Sequence, residues 1–165
     1  MKKLIIARHA KSSWSDAALT DFERPLNKRG RRDAPFMGKL LAKQQIVPEC
    51  IVSSPANRAL TTARILAENM DFPLDHIRVE EELYESGLKD YVRAIHSIDC
   101  DVNTVMIVGH NPTITMFAEH LSDHDFENIP TCGIVILQFD MGSWSEIEQH
   151  TGEVLSFEFP KKYFT

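Results

Sequence analysis

Three short apolar runs, Lys3 to Ala7, Cys50 to Val52 and Thr104 to Val108, each end directly at polar residues, and this arrangement limits the fold more than any other feature of the chain. Runs of this length read as buried strands. Amphipathic segments alternate with them, which is the pattern of an α/β protein. Ser54-Pro55 follows the second run and Asn111-Pro112 the third, each placing a capping side chain before a proline suited to a first helical turn. Helices are therefore predicted from about Pro55 to Met70 and from Pro112 to Leu121, the second carrying Ile114, Phe117, Ala118 and Leu121 at helical spacing. An earlier helical stripe runs from Met37 through Leu40 and Leu41, with Pro35 either kinking that helix or lying in its opening turn. Leu88 to Ile98 reads as a further amphipathic helix. Gly133 to Phe139 and Val154 to Phe159 resemble two late strands around a polar turn at Gly142, expected to pair antiparallel at one side of the sheet. No repeat, low-complexity tract or linker divides residues 1–165, so a single domain is expected.

Composition removes several function classes. With 165 residues, 43% hydrophobic and 25% charged, the chain is long enough to bury a core of its own. A formal charge of -6 and a pI near 5.6 argue against a nucleic-acid partner, which calls for a basic face. Cys50, Cys100 and Cys132 are odd in number and far apart, so neither a disulfide framework nor a zinc site is indicated. The apolar run from Leu4 to Ala7 is stopped by Arg8, far short of a signal-peptide core or a membrane span. A cytoplasmic protein without a membrane partner is expected.

The chemistry gathers where the strands end. Arg8-His9 follows the first strand, Arg58 lies four residues past Ser54 after the second, and His110 follows the third. Ligands of open α/β sheets bind outside the carboxyl ends of parallel strands, so these four residues are expected to converge. Two guanidinium forks bind a tetrahedral oxyanion through charge-assisted hydrogen bonds, and nearby helix N-termini add positive potential. Neighbouring arginines also keep an imidazole neutral, which leaves a lone pair for attack on phosphorus. One histidine then serves as nucleophile, forming a phosphohistidine that water hydrolyses. The other histidine and the arginines stabilise the equatorial oxygens, with no metal or other cofactor in the scheme.

Leu4-Ile5-Ile6-Ala7-Arg8-His9-Ala10-Lys11-Ser12, Ser53-Ser54-Pro55 with Arg58-Ala59 and Thr62-Ala63, and Val108-Gly109-His110-Asn111-Pro112 resemble the histidine phosphatase superfamily. The Arg-His-Ala-Lys-Ser start and Arg24-Pro25-Leu26 with Gly30 are most similar to its SixA-type phosphohistidine phosphatase branch. The resemblance implies a three-layer α/β/α sandwich of the phosphoglycerate mutase-like kind, with a mostly parallel central sheet and an antiparallel late strand. It implies His9 as phosphoryl acceptor and Arg8, Arg58 and His110 as the phosphate pocket, with Arg24 near its mouth. Ser15 stands where relatives carry a phosphate-contacting asparagine, and Ala10-Lys11 stands in place of their Gly-Glu. The superfamily's proton donor is an acid from the middle of the chain, for which Glu82 and Glu85 are the candidates.

Competing readings attach to several of these residues. Arg24 either lines the pocket or pairs with Asp21 or Glu23, and Trp14 is either a lid aromatic or a packed anchor. His120 and His124 have the i, i+4 spacing of a helical metal pair, but Leu121-Ser122-Asp123 reads as a helix end, which favours a solvated surface. The function expected is hydrolysis of a phosphohistidine-bearing protein such as a phosphotransfer domain. The alternatives are a small-molecule phosphomonoester phosphatase, a phosphoglycerate mutase, and a phosphoprotein-binding module without turnover. A mutase needs a carboxylate-binding lid, for which the chain offers little sequence, and intact His9 and His110 argue against an idle module.

Overall fold

The computed structural model describes residues 1–164. Six strands form one sheet: β1 (Lys2–Arg8), β2 (Cys50–Ser53), β3 (Ile77–Val79), β4 (Thr104–Gly109), β5 (Ile134–Phe139) and β6 (Glu153–Glu158), in the order β3-β2-β4-β1-β5-β6. β1, β2, β3 and β4 run parallel, and β5 and β6 are antiparallel additions at one side. The four helices are α1 (Lys28–Lys43), α2 (Asn57–Asn69), α3 (Leu88–His96) and α4 (Thr113–Ser122). No helix among the described residues is long and apolar enough to cross a membrane.

The central strands are apolar on both faces because both faces are covered. From β1, Leu4 and Ile6 join Tyr91 and Ile95 of α3 and Ile114 and Phe117 of α4 in one core cluster. Ile5 and Ala7 point the other way, into a cluster with Met37 and Leu41 of α1 and Ala59, Ala63 and Leu66 of α2. This is the expected three-layer α/β/α sandwich with its mixed sheet.

The structure refines the local reading at several points. Pro35 is the eighth residue of α1, which rules out the opening turn and leaves the other reading, a proline inside the helix where one backbone bond is forgone. Neither later proline opens a helix: α2 begins after an Ala56 N-cap and α4 after a Pro112 N-cap. Ser54 and Asn111 still satisfy backbone donors nearby, Ser54 Oγ accepting from Ala56 N at 3.3 Å and Asn111 Oδ1 from Thr115 N at 3.2 Å. The edge strand β3 has only three residues, two of them exposed, and so lacks the apolar run that marks the other parallel strands.

Gly109 closes β4 at a crowded point. A Cβ there would lie 2.7–2.8 Å from ring carbons of Tyr91, a side chain only 1% exposed. The Tyr91 hydroxyl accepts from His110 N at 3.0 Å and donates to the Leu83 carbonyl at 3.1 Å, so the glycine makes room for the phenol that holds the next residue. Gly109→Ala is expected to lose about 1–3 kcal/mol of stability through overpacking, read as a lower denaturation midpoint, and to displace His110 enough to reduce turnover.

Candidate active site

β1 and β4 pair in parallel with Arg8 opposite Gly109, and β2 pairs with the other side of β4. The residues that leave these three strands therefore emerge at one edge of the sheet. His9 N donates to Gly109 O and Ser54 N to Val108 O, both at 3.1 Å, which binds the three exits together. The ring centroids of His9 and His110 are 5.2 Å apart. Arg8 at the end of β1 and Arg58 in the first turn of α2 act on both imidazoles as nearby positive charges.

His9 is 7% exposed, and its Nδ1 lies 2.8 Å from the Ala10 carbonyl oxygen. A carbonyl only accepts, so Nδ1 carries the proton and Nε2 keeps its lone pair. Burial is the main cause that lowers the His9 pKa to about 3. The Ala10 bond opposes the effect, while His110, Arg58 and Arg8 add to it. The result is a neutral imidazole with a defined tautomer and Nε2 available as a nucleophile.

His110 reaches the same neutral state by a different route. Burial, then Arg58, lower its pKa to about 4, with Asp21 opposing and Arg8 adding a smaller push. Its Nε2 lies 2.7 Å from Ser54 Oγ, which already accepts from Ala56 N. The Ser54 hydroxyl has a proton to give and a second lone pair to accept with, so it pairs with a His110 ring that carries its proton on Nε2 or on Nδ1. That Nδ1 is buried without a partner, as is Arg8 Nε, although another Arg8 nitrogen donates to the Ile129 carbonyl at 3.0 Å. Buried polar atoms without partners are costly, and two of them lie on residues beside His9.

Asp21, which the sequence offered only as a partner for Arg24, organises the remaining positive charge. One Arg58 nitrogen donates to the Asp21 carbonyl at 2.7 Å and another to its carboxylate at 3.1 Å. The same carboxylate accepts from Arg24 at 2.8 Å and from the Tyr84 hydroxyl at 2.7 Å. Desolvation favours the protonated acid, but the Tyr84 and Arg24 hydrogen bonds and the Arg58 charge outweigh it and bring the pKa down to about 2. Asp21 is therefore ionised and pins the loop after β1 over Arg58. Tyr84 packs its ring 5.7 Å from that of His110 and, holding Asp21, has its hydroxyl pushed up to about 12, burial being the first cause.

The structure brings His9, Arg8, Arg58 and His110 together and places the other predicted residues farther out. Arg24 pairs with Asp21 as one sequence reading had it, donates to Ser13 O and Ser12 Oγ, and stacks 3.3 Å from the ring centre of Trp14. Trp14 itself is 74% exposed, so it is no packed anchor. Ser15 is exposed and bonds Ser13, not a pocket residue. Glu82 is exposed in a turn of 3-10 helix (Glu81–Leu83) and makes no hydrogen bond to the pocket, and Glu85 is likewise exposed. The helix α4 ends at Ser122 and Asp123 turns left-handed with φ 62°, so His120 and His124 lose the i, i+4 relation of a metal pair.

Both histidines are held below the ordinary histidine pKa, which fixes the sign of their contribution to acid stability. The unfolded chain takes up protons on them near pH 6.5 and the folded chain does not until about pH 3–4, so stability is complete above pH 6.5 and falls as the pH drops toward 4. His9→Asn is expected to narrow that loss. Denaturant midpoints measured at pH 7 and pH 5 check it: the gap between the two shrinks in the variant, and an unchanged gap means His9 is not held neutral.

Residues 4–96 match the histidine phosphatase superfamily (branch 1). The chloroplastic protein At3g52155 of Arabidopsis thaliana is 31% identical over 153 residues, 88% of this chain and 70% of that one. The candidate phosphohistidine phosphatase SixA of Agrobacterium tumefaciens superposes with a TM-score of 0.81 at 26% identity, covering 96% of this chain and 98% of its own. The protein histidine phosphatase SixA solved with tungstate shares the fold with a TM-score of 0.83 at 20% identity, over 97% and 98% of the two chains. The strand-end pocket and these likenesses agree, and the chain belongs to the histidine phosphatase superfamily, in its SixA-type branch.

Proposed function

We propose that this phosphatase hydrolyses phosphohistidine on a partner protein through a phosphoenzyme on His9, without a metal. The observation that carries the reading is the fixed tautomer of His9, whose Nδ1–H is tied to Ala10 while Nε2 makes no hydrogen bond and faces the neighbouring His110 ring. In the first step the Nε2 lone pair forms a bond to phosphorus as the bond from phosphorus to the substrate imidazole breaks. Arg8, Arg58 and His110 meet the charge on the three equatorial oxygens, the work a metal would otherwise do. In the second step water attacks the phosphoryl group, its proton leaves with the phosphate, and Nε2 regains its lone pair. Because Ala10 keeps Nδ1 protonated throughout, phosphorylated His9 departs as a neutral imidazole.

The choice of phosphoramidate over alkyl ester rests on the proton inventory. An alkyl phosphate releases an alkoxide and needs a well-placed general acid. Asp21, the carboxylate that holds Arg58, is ionised with a pKa of about 2, and Glu82 makes no hydrogen bond to the pocket. Phosphohistidine with its second nitrogen protonated loses a neutral imidazole, whose conjugate acid has a pKa of about 6.5, so little proton transfer is needed. The likeness to SixA proteins, one of them solved with the phosphoryl mimic tungstate, supports the same substrate class.

The decisive comparison is kcat/KM for a histidine-phosphorylated photransfer-type protein domain against sugar phosphates, with Glu82→Gln and Glu85→Gln tested on each. The phosphohistidine protein is expected to win by orders of magnitude, with neither glutamate essential and EDTA without effect. Sugar phosphates winning, with one glutamate indispensable, would identify a small-molecule phosphatase instead. His9→Ala is expected to abolish turnover, and a rapid quench with labelled substrate should trap acid-labile phosphate on wild-type protein and none on the variant.

Arg58→Gln removes a preorganised donor from the transferring group and is expected to lower kcat by about 10²–10³, or roughly 3–4 kcal/mol. Vanadate affinity should fall in parallel. Undiminished vanadate binding would place Arg58 outside the phosphoryl site.

A further inference from the structure

Charge on this protein is unevenly placed. The chain as a whole carries a formal -6, yet six of its 18 Lys and Arg residues lie on the 16 residues of α1: Lys28, Arg29, Arg31, Arg32, Lys39 and Lys43. All six are exposed, and the helix has one acid, Asp33, which is fully buried. Arg32 donates to Asp33 at 2.8 and 2.9 Å and Arg29 approaches its other oxygen at 3.6 Å, so two cations share one anion. Their side chains remain 50% and 42% exposed, with further N–H donors facing solvent. The first turns of α1 thus carry a net positive surface on an otherwise acidic molecule.

That surface adjoins the catalytic pocket. Asn27 N donates to Lys11 O at 2.9 Å, and Gly30 packs against the Lys11 backbone so closely that a Cβ would have no room. Lys11, itself exposed, is two residues from His9, a separation of at most about 7 Å along the chain. A partner whose side chain enters the pocket therefore lays its neighbouring surface near α1.

We propose that the amino-terminal half of α1 is the docking surface for an acidic face of the phosphohistidine-bearing protein, an inference that rests on the substrate reading given above. Charge complementarity selects this occupant. An acidic domain approaching a molecule of net -6 is repelled over most orientations and attracted at this patch, which turns its phosphorylated side chain toward His9. A long polyanion such as nucleic acid fits less well, since it would extend past the patch onto acidic surface. Electrostatic steering of this kind raises association rates by roughly 10–10³-fold and fades as salt shortens the screening length from about 30 Å at 0.01 M to about 8 Å at 0.15 M.

The test uses Lys28→Glu with Arg31→Glu, which spares the two arginines that hold Asp33, and adds acids in the first turns, where the helix dipole tolerates them. Activity is measured on an acidic, histidine-phosphorylated phosphotransfer domain and on p-nitrophenyl phosphate at low and moderate salt. The double variant is expected to lose tenfold or more in kcat/KM on the protein at low salt, mainly through KM, with a flattened salt dependence and unchanged p-nitrophenyl phosphate turnover. Lys28→Gln with Arg31→Gln should fall between. Equal protein turnover by wild type and double variant overturns the docking surface while leaving the phosphohistidine reading intact. A wild type that turns over p-nitrophenyl phosphate but not the phosphoprotein overturns both. Binding of a DNA oligonucleotide or phosphatidylserine vesicles by wild type, lost in the variant while protein turnover is unaffected, assigns the patch to another partner.

Discussion

The parallel pairing of β1 with β4 is the constraint on which the site depends. Its register sets Arg8 beside Gly109, and the next residue on each strand is a histidine, so two imidazoles about 100 positions apart in the chain meet at 5.2 Å. A slip of one residue would turn Leu4 and Ile6 toward the helices that Ile5 and Ala7 now face, exchanging the two core clusters. The buried alternation along β1 therefore protects the geometry of the pocket. Stability and catalysis are coupled here through a hydrogen-bond ladder, not through a contact made for catalysis alone.

Around that register, each polar group is fixed by a neighbour. Ala10 sets the tautomer of His9 through its carbonyl, and Ser54 holds the His110 ring through its hydroxyl. Tyr91 holds the His110 backbone, and Asp21 holds Arg58 and Arg24 while remaining charged. The arrangement keeps two histidines neutral beside two guanidinium groups, and it accepts the cost of buried polar atoms without partners. An anion that enters such a site is met by dipoles already in place, so little reorganisation is left for the moment of transfer.

Much of this was legible in the residues. Strands β1, β2 and β4 and the four helices announced themselves because burial on both sheet faces demands continuous apolar runs, and covering helices demand an apolar stripe. His9, Arg8, Arg58 and His110 stood out because each follows such a run at a strand exit. β3 escaped notice since a three-residue edge strand buries too little to leave a pattern. The place of Pro35 stayed open between two readings because local propensity cannot weigh the tertiary burial that carries α1 through it.

Sequence by itself determined the α/β class through periodicity and the family and its layering through the resemblance of its motifs, and side-chain type at strand ends marked the four residues that the fold brings together. Tertiary structure alone decided which nitrogen of His9 bears a proton, that Asp21 and Tyr84 organise Arg58, that Glu82 is exposed, and that Ser15 bonds Ser13. It also decided that the basic first turns of α1 lie against the backbone of Lys11. The physical reason is the same in each case: tautomers, ion pairs and juxtaposed surfaces are set by distances of a few ångströms between residues far apart in the chain, and no local pattern encodes such a distance.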